Sequence, residues 1–133
     1  MTNQITITLD VPNSLLWGIF VTALEGGIGY WSVCNEYRIG HPDKPGEDHE
    51  GFHADIIETE NHIDEPESAE VVRIDREVVL RGLTRIAQRS VRISDRIHQD
   101  TIKGIQEGDG GSIDSEAADC IIQAGLFDDI AYG

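Results

Sequence analysis

The chain is short of basic residues, of cysteine and of long apolar runs, and each shortage removes a class of protein. Ten Lys and Arg stand against 25 Asp and Glu over 133 residues, a formal charge of −15. A chain this negative lacks the field that holds DNA phosphates or anionic headgroups, so direct nucleic-acid or membrane-surface binding is not expected. The two cysteines, Cys34 and Cys120, are too few for the disulfide framework of a small secreted domain. Without a paired C-x-x-C they read as reduced, buried small hydrophobes. The longest uncharged run, residues 11–24, has 14 residues, where a membrane span needs ~20. No basic segment with a small-residue cleavage site precedes it, so a soluble, unexported, cytoplasmic protein is expected. P-loop and G-x-S-x-G strings are absent from the sequence.

What is present is enough apolar material, 39% of residues, for one domain with a real core. Ile5, Ile7, Leu9 and Val11 alternate as in a half-buried strand over 4–11. Pro12 stops it, Asn13 or Ser14 offers a cap, and Gly26-Gly27 offers the left-handed stop of a helix over 14–25. That helix is apolar on two sides and needs cover on both, from later helices or from a second copy of the chain. The β-branched and aromatic residues of 28–38 suit a strand. Residues 41–70 carry 11 acids against Lys44 alone, a charge of −10, and read as an acidic insertion at about 41–68 enclosing a hairpin with strands at 52–57 and 69–74. Asp75 caps a long helix, 76–105, on which Val79, Leu83, Ile86, Ser90, Ile93 and Ile97 follow a 4, 3, 4, 3, 4 spacing. Asp114 caps a last helix over 114–125. The fold class is therefore α+β, a small antiparallel sheet covered by about three helices in a single domain.

Two constellations carry chemistry. If helix 76–105 is continuous, Arg81, Arg85, Arg89, Arg92 and Arg96 fall in one sector about 80° wide. Guanidinium forks in such a stripe suit phosphate or carboxylate. The structural alternative is that these arginines neutralise the acidic insertion. Glu25 sits where the helix dipole disfavours a carboxylate, beside Gly26-Gly27 and the flat faces of Tyr30 and Trp31. The alternative there is a helix stop and a core strand, with Glu25 paired to an arginine. Together the two halves read as a nucleotide pocket: aromatics for a base, Glu25 for ribose hydroxyls, arginines for phosphate. His49-Glu50-Gly51-Phe52-His53 matches H-E-x-x-H, but Pro45-Gly46 and Gly51 oppose the helix that motif requires, so it is read as a chance match. A loose divalent site from Asp48, His49, His53 and His62 is the milder reading of those residues. No metal and no cofactor is called for.

Residues 23–31 (Ala-Leu-Glu-Gly-Gly-Ile-Gly-Tyr-Trp) and 124–133 (Ala-Gly-Leu-Phe-Asp-Asp-Ile-Ala-Tyr-Gly), with Leu80-Arg81-Gly82-Leu83 between them, resemble a widespread family of small phage and prophage proteins without an assigned function. The resemblance spans most of the chain outside the acidic insertion. It departs from the family pattern at Val91, where relatives often carry proline, and at Asp128-Asp129, where a Gly-Glu pair is usual. It implies a viral accessory protein in the host cytoplasm rather than a virion building block, and it supplies no catalytic residues. The expected function is a non-enzymatic, anti-defence protein that sequesters a small anionic, nucleotide-like ligand. The rival is an acidic surface that imitates DNA, or otherwise binds as a protein inhibitor, and blocks a host nucleic-acid-binding enzyme.

Overall fold

Three of the helix starts are set by a side chain that accepts an otherwise unpaired amide, the role the sequence assigns to short oxygen-bearing residues. In a computed structural model, which describes residues 3–5, 8–40, 51–59 and 70–133, α1 (Asn13–Thr22) is followed by α2 (Arg76–Ala87), α3 (Asp95–Glu107) and α4 (Ser115–Phe127). Asp75 accepts from the Val78 amide, Ser94 from Ile97 and Asp114 from Ala117. Helix α1 differs, because its N-cap position is Pro12, with no side-chain cap. It runs into a wider π turn, Ala23–Gly27. Gly26 and Gly27 are thus not the left-handed stop expected of them. Gly27 is required for another reason: a Cβ there would lie 2.9 Å from the carbonyl oxygen of Ser115.

The single helix expected over 76–105 is two. The chain breaks after Ala87, Arg89 takes the left-handed conformation (φ 53°), and Ser94 restarts the helix as α3. Across the break the spacing fails at Ser90, which is exposed, and the inward positions are taken by the loop residues Val91 and Ile93 without being helical.

Strands β1 (Ser32–Arg38), β2 (His53–Glu58) and β3 (Val72–Asp75) form an antiparallel sheet in the order β1-β2-β3. The strand expected over 28–38 begins four residues later, since Ile28 to Trp31 form a turn. The strand expected over 4–11 is not seen among its described residues: Ile5 is 87% and Leu9 57% exposed. Alternation favours an extended chain, but a strand also needs a partner, and the described strands pair only with one another. Ala54, Ile56 and Ile74 turn one face of the sheet toward Leu15, Ile19 and Phe20 of α1 and toward the buried faces of α2 and α4. The Phe20 and Phe52 rings lie 4.6 Å apart, and each such side chain, fully buried, contributes roughly 1.5–3 kcal/mol. No helix among the described residues is long and apolar enough to cross a membrane.

Candidate functional site

The stretches around 30 and 130, distant in sequence, converge on one face of α4. Asp119 and Gln123, four residues apart, project from the same side of that helix and are 6% and 0% exposed. The Trp31 indole donates to Asp119 Oδ1 at 2.8 Å, the Tyr30 hydroxyl to Asp119 Oδ2 at 2.6 Å, and the Gln123 amide to Asp119 Oδ1 at 2.9 Å. Gln123 also secures the chain end: its Oε1 accepts from the Tyr132 amide at 2.8 Å and its Nε2 donates to the Tyr132 carbonyl at 3.2 Å. The Tyr132 ring stacks on Trp31 with centroids 5.1 Å apart and planes 4° from parallel, and its hydroxyl donates to Glu58 of β2. Phe127 meets Trp31 edge-on at 5.5 Å. A buried carboxylate left without partners would cost several kcal/mol, on the order of its desolvation penalty. Here neutral donors meet it, Tyr30 and Trp31 from one distant segment and Gln123 from its own helix, and Gln123 ties Tyr132 to them.

Beside this network lies an open cleft of about 340 Å³. Gly26 and Gly27 form one wall, Tyr30 and Tyr132 another, and its charged lining, Glu116 and Asp119, is acidic. Burial, the hydrogen bond to Asp119 and that carboxylate's charge push the Tyr30 hydroxyl up to about 12. Burial, then Asp119 and Glu116, push the Cys120 thiol to about 11. A thiol held that high is overwhelmingly protonated at neutral pH and is a poor nucleophile.

Of the aromatic and charged side chains assigned to the nucleotide pocket in the sequence, only Tyr30 lines this cleft, with 58% of its surface exposed. Trp31, expected to offer a flat face to a base, is 2% exposed, and its ring is stacked on Tyr132. Glu25 is exposed on the π turn and does not line the cleft. The arginines do not form one stripe, because the helix that would carry it is broken. Arg81 donates to the Gly125 carbonyl at 2.9 Å, and Arg85 reaches Ala124 O at 2.6 Å and Asp128 at 2.9 Å, so both close the C-terminal end of α4. Arg89 pairs with Asp95 at 2.9 Å and Arg92 with Asp129 at 3.6 Å. Arg96 meets Asp100, Asp114 and Glu116 at 3.2, 3.3 and 2.6 Å. Their partners are thus mostly α4 and its flanks. The acidic region is met instead by Arg73, which grips Asp55 through Nε at 2.8 Å and Nη2 at 3.1 Å.

His49 and Glu50 of the H-E-x-x-H string, with Asp48 and His62, lie outside the described residues, as does most of the acidic insertion. The string's second half is not helical: Phe52 is buried and His53 opens β2. No group of three His, Cys, Asp or Glu among the described residues is placed to hold a metal ion. Cys34, expected to be buried, is exposed on β1, whereas Cys120 is half-buried. Asp119 and Gln123 escaped the sequence reading. Their signal was two hydrogen-bonding side chains at helical spacing among Ala117, Ala118, Ile121, Ile122 and Ala124. No protein-family model matches the chain, and no curated protein or solved structure is significantly similar to it.

Proposed function

We propose that the chain is a non-catalytic phage accessory protein that covers the basic, nucleic-acid-binding surface of a host protein. The observation that carries this reading is how the cations are used. Arg73, Arg76, Arg81, Arg85, Arg89, Arg92 and Arg96 each meet an acceptor belonging to the chain itself. With guanidinium groups committed internally, the surface left to a partner is dominated by the excess of 15 acids, including exposed Asp10, Glu25, Glu36, Glu70 and Glu107. Such a field steers basic surfaces toward it and repels nucleic acid. The phage assignment rests on the resemblance of residues 23–31 and 124–133.

The test is capture of host proteins on the immobilised chain, with and without excess double-stranded DNA. A second arm uses a variant in which the acids between Asp43 and Glu70 become Asn or Gln. Captured DNA-binding proteins that free DNA displaces and the neutralised variant fails to hold would support the reading. Capture indifferent to both DNA and neutralisation would overturn it.

The cleft favours a second reading, a small nucleotide-like ligand. The exposed Tyr30 ring and the Gly26-Gly27 wall leave room of about 340 Å³, and an aromatic face suits a base. Glu116 and Asp119 in the lining favour a ligand whose bound end is neutral or cationic rather than a phosphate. Equilibrium dialysis of nucleosides and nucleotides against the purified chain separates the cases; retention lost in Tyr30→Ala would support this reading, and no retention would remove it.

A further inference from the structure

Glycine is disfavoured inside a helix, where it loses the most backbone freedom and packs no side chain, so each helical glycine calls for a cause. Three of those in the α-helices have theirs inside the chain: a Cβ on Gly82, Gly104 or Gly125 would lie 1.9, 2.6 or 2.1 Å from an atom of another element. Gly18 is the exception. It sits in the middle of α1, and a Cβ there would meet nothing within 4 Å. The space it lines is a cleft of about 370 Å³ between α1 and the turn at 109–113. A glycine without a neighbour that requires it leaves the backbone open to close approach from outside the chain.

Ser14, Gly18 and Thr22 follow at four-residue spacing and form one wall of the cleft with Trp17. Asp109 and Gly110 stand opposite, and the buried side chains of Ile19 and Ile113 close the bottom. Both walls are held. The Trp17 indole donates to the Ile39 carbonyl at 2.6 Å, which fixes the ring. Asp109 Oδ1 accepts from the Gly111 amide at 2.8 Å, which fixes the turn. The other oxygen of Asp109 and the hydroxyls of Ser14 and Thr22 take no partner among the described residues.

We propose that this cleft binds a neutral, hydroxyl-rich ring, a sugar, with its C–H face against Trp17 and its hydroxyls on Ser14, Thr22 and Asp109. The lining decides the class. Asp109 is its only charged residue, so no cation is there to hold a phosphate or carboxylate, and the chain's charge of −15 repels both. A wholly apolar ligand would cover the Asp109 carboxylate and two hydroxyls without pairing them, which is costly. A sugar carries hydroxyls around its rim and apolar C–H groups on its face, and so meets both kinds of lining. The volume agrees. Small-molecule sites begin at about 300 Å³, whereas one turn of a partner's helix, about 10 Å across and about 5.4 Å long, fills roughly 420 Å³. This inference does not depend on the partner proposed above.

The experiment titrates the purified chain with D-glucose, N-acetyl-D-glucosamine and D-ribose, and with choline as the cationic alternative, following the two indole N–H resonances by NMR. At least one of the sugars should bind saturably and shift the Trp17 indole, while that of Trp31, 2% exposed in the other network, stays in place. Gly18→Leu fills the cleft from a position where a Cβ meets nothing; it should melt no lower than wild type and bind the sugar roughly tenfold or more weakly. Asp109→Asn keeps an oxygen for the Gly111 amide but loses the charged acceptor, and should weaken binding about tenfold. No saturable binding of any of the three sugars, binding of choline alone, or sugar binding that Gly18→Leu leaves unchanged would each overturn the proposal. If Gly18→Leu does not fold, Asp109→Asn decides: unchanged affinity overturns the proposal and the expected loss supports it.

Discussion

Replacing glycine by alanine at two helical positions should change stability in opposite directions, and the difference is readable in the packing. A Cβ on Gly82 of α2 would lie 1.9 Å from the carbonyl oxygen of Ile121 and 2.8 Å from its carbonyl carbon. That carbonyl belongs to α4 and cannot turn away alone, so the two helices must part by about 1 Å at their closest approach. Overpacking of this kind costs roughly 1–3 kcal/mol and sometimes more, against a gain of about 1 kcal/mol in helix propensity. We expect a net loss of about 2 kcal/mol for Gly82→Ala. With an unfolding entropy of about 2.1 cal/mol/K per residue, the melting temperature should fall by about 7 °C. A Cβ on Gly18 of α1 would meet nothing within 4 Å. There alanine should add up to about 1 kcal/mol, or about 4 °C. Gly104→Ala should fall between them, because the nearest atom, 2.6 Å away, is the flexible Cδ1 of Ile113. A Cβ on Gly125 would approach the Val78 carbonyl at 2.1 Å in the mirror arrangement. Once the helices have parted for one alanine the second costs less, so the double variant should lose less than the sum of the singles. Thermal unfolding followed by far-UV circular dichroism measures all of these. A Gly82→Ala variant as stable as wild type, or shifted in the same direction as Gly18→Ala, would refute the packing argument.

The Tyr30 hydroxyl, held up to about 12 by burial and by Asp119, should ionise late in a spectroscopic titration, and Asp119→Asn should bring it back toward 10. Because this pKa is raised in the folded chain, its contribution to stability is complete below pH 10 and is lost as pH rises toward 12, which unfolding curves at successive alkaline pH values would show. Asp119→Ala should cost about 1–3 kcal/mol for the buried Trp31 donor it leaves unsatisfied, since Gln123 keeps the Tyr132 carbonyl; a melting temperature equal to that of wild type would show that the network does not close the fold. Arg85→Ala should cost about 1–2 kcal/mol by uncapping α4, whereas Arg92→Ala, 93% exposed and 3.6 Å from Asp129, should fall within about 0.5 kcal/mol of wild type; equal effects would undo the distinction between capping and surface pairing. A thiol reagent at neutral pH should label exposed Cys34 first and Cys120 only slowly, since the latter is half-buried and held near 11; faster labelling of Cys120 would contradict its placement.

The parts of the fold that were legible in the sequence are those whose cause is local. Asp75 and Asp114 cap helices because a short carboxylate reaches back to an amide three residues on, and no distant residue is needed for that. The strands expected at 52–57 and 69–74 carry their own bulky residues, and both form, the first displaced by one residue and the second shortened to Val72–Asp75. Where the cause was distant, the reading failed in a consistent way. Residues 4–11 have a strand's alternation without a described partner strand. Residues 88–94 form a loop although the spacing of apolar residues resumes at Ile93, because Val91 and Ile93 are drawn to the same core from outside any helix. The arginines illustrate the point for function. A row of like charges at helical spacing is equally consistent with a site for anions and with a set of ties to other elements, and the choice depends on what stands opposite. Opposite Arg81 and Arg85 stand the last carbonyls of α4, about forty residues on, and opposite Arg96 stand the acids at its beginning. The same helix brings Asp119 and Gln123 to Trp31 and Tyr132, so α4 is the element through which both ends of the sequence motif are joined. The segments at 23–31 and 124–133 therefore have a physical reason to occur together in one chain: each brings side chains to a buried network centred on Asp119 and Gln123, which belong to neither. That reason is structural, and it separates the network from the acidic surface on which the proposed function rests.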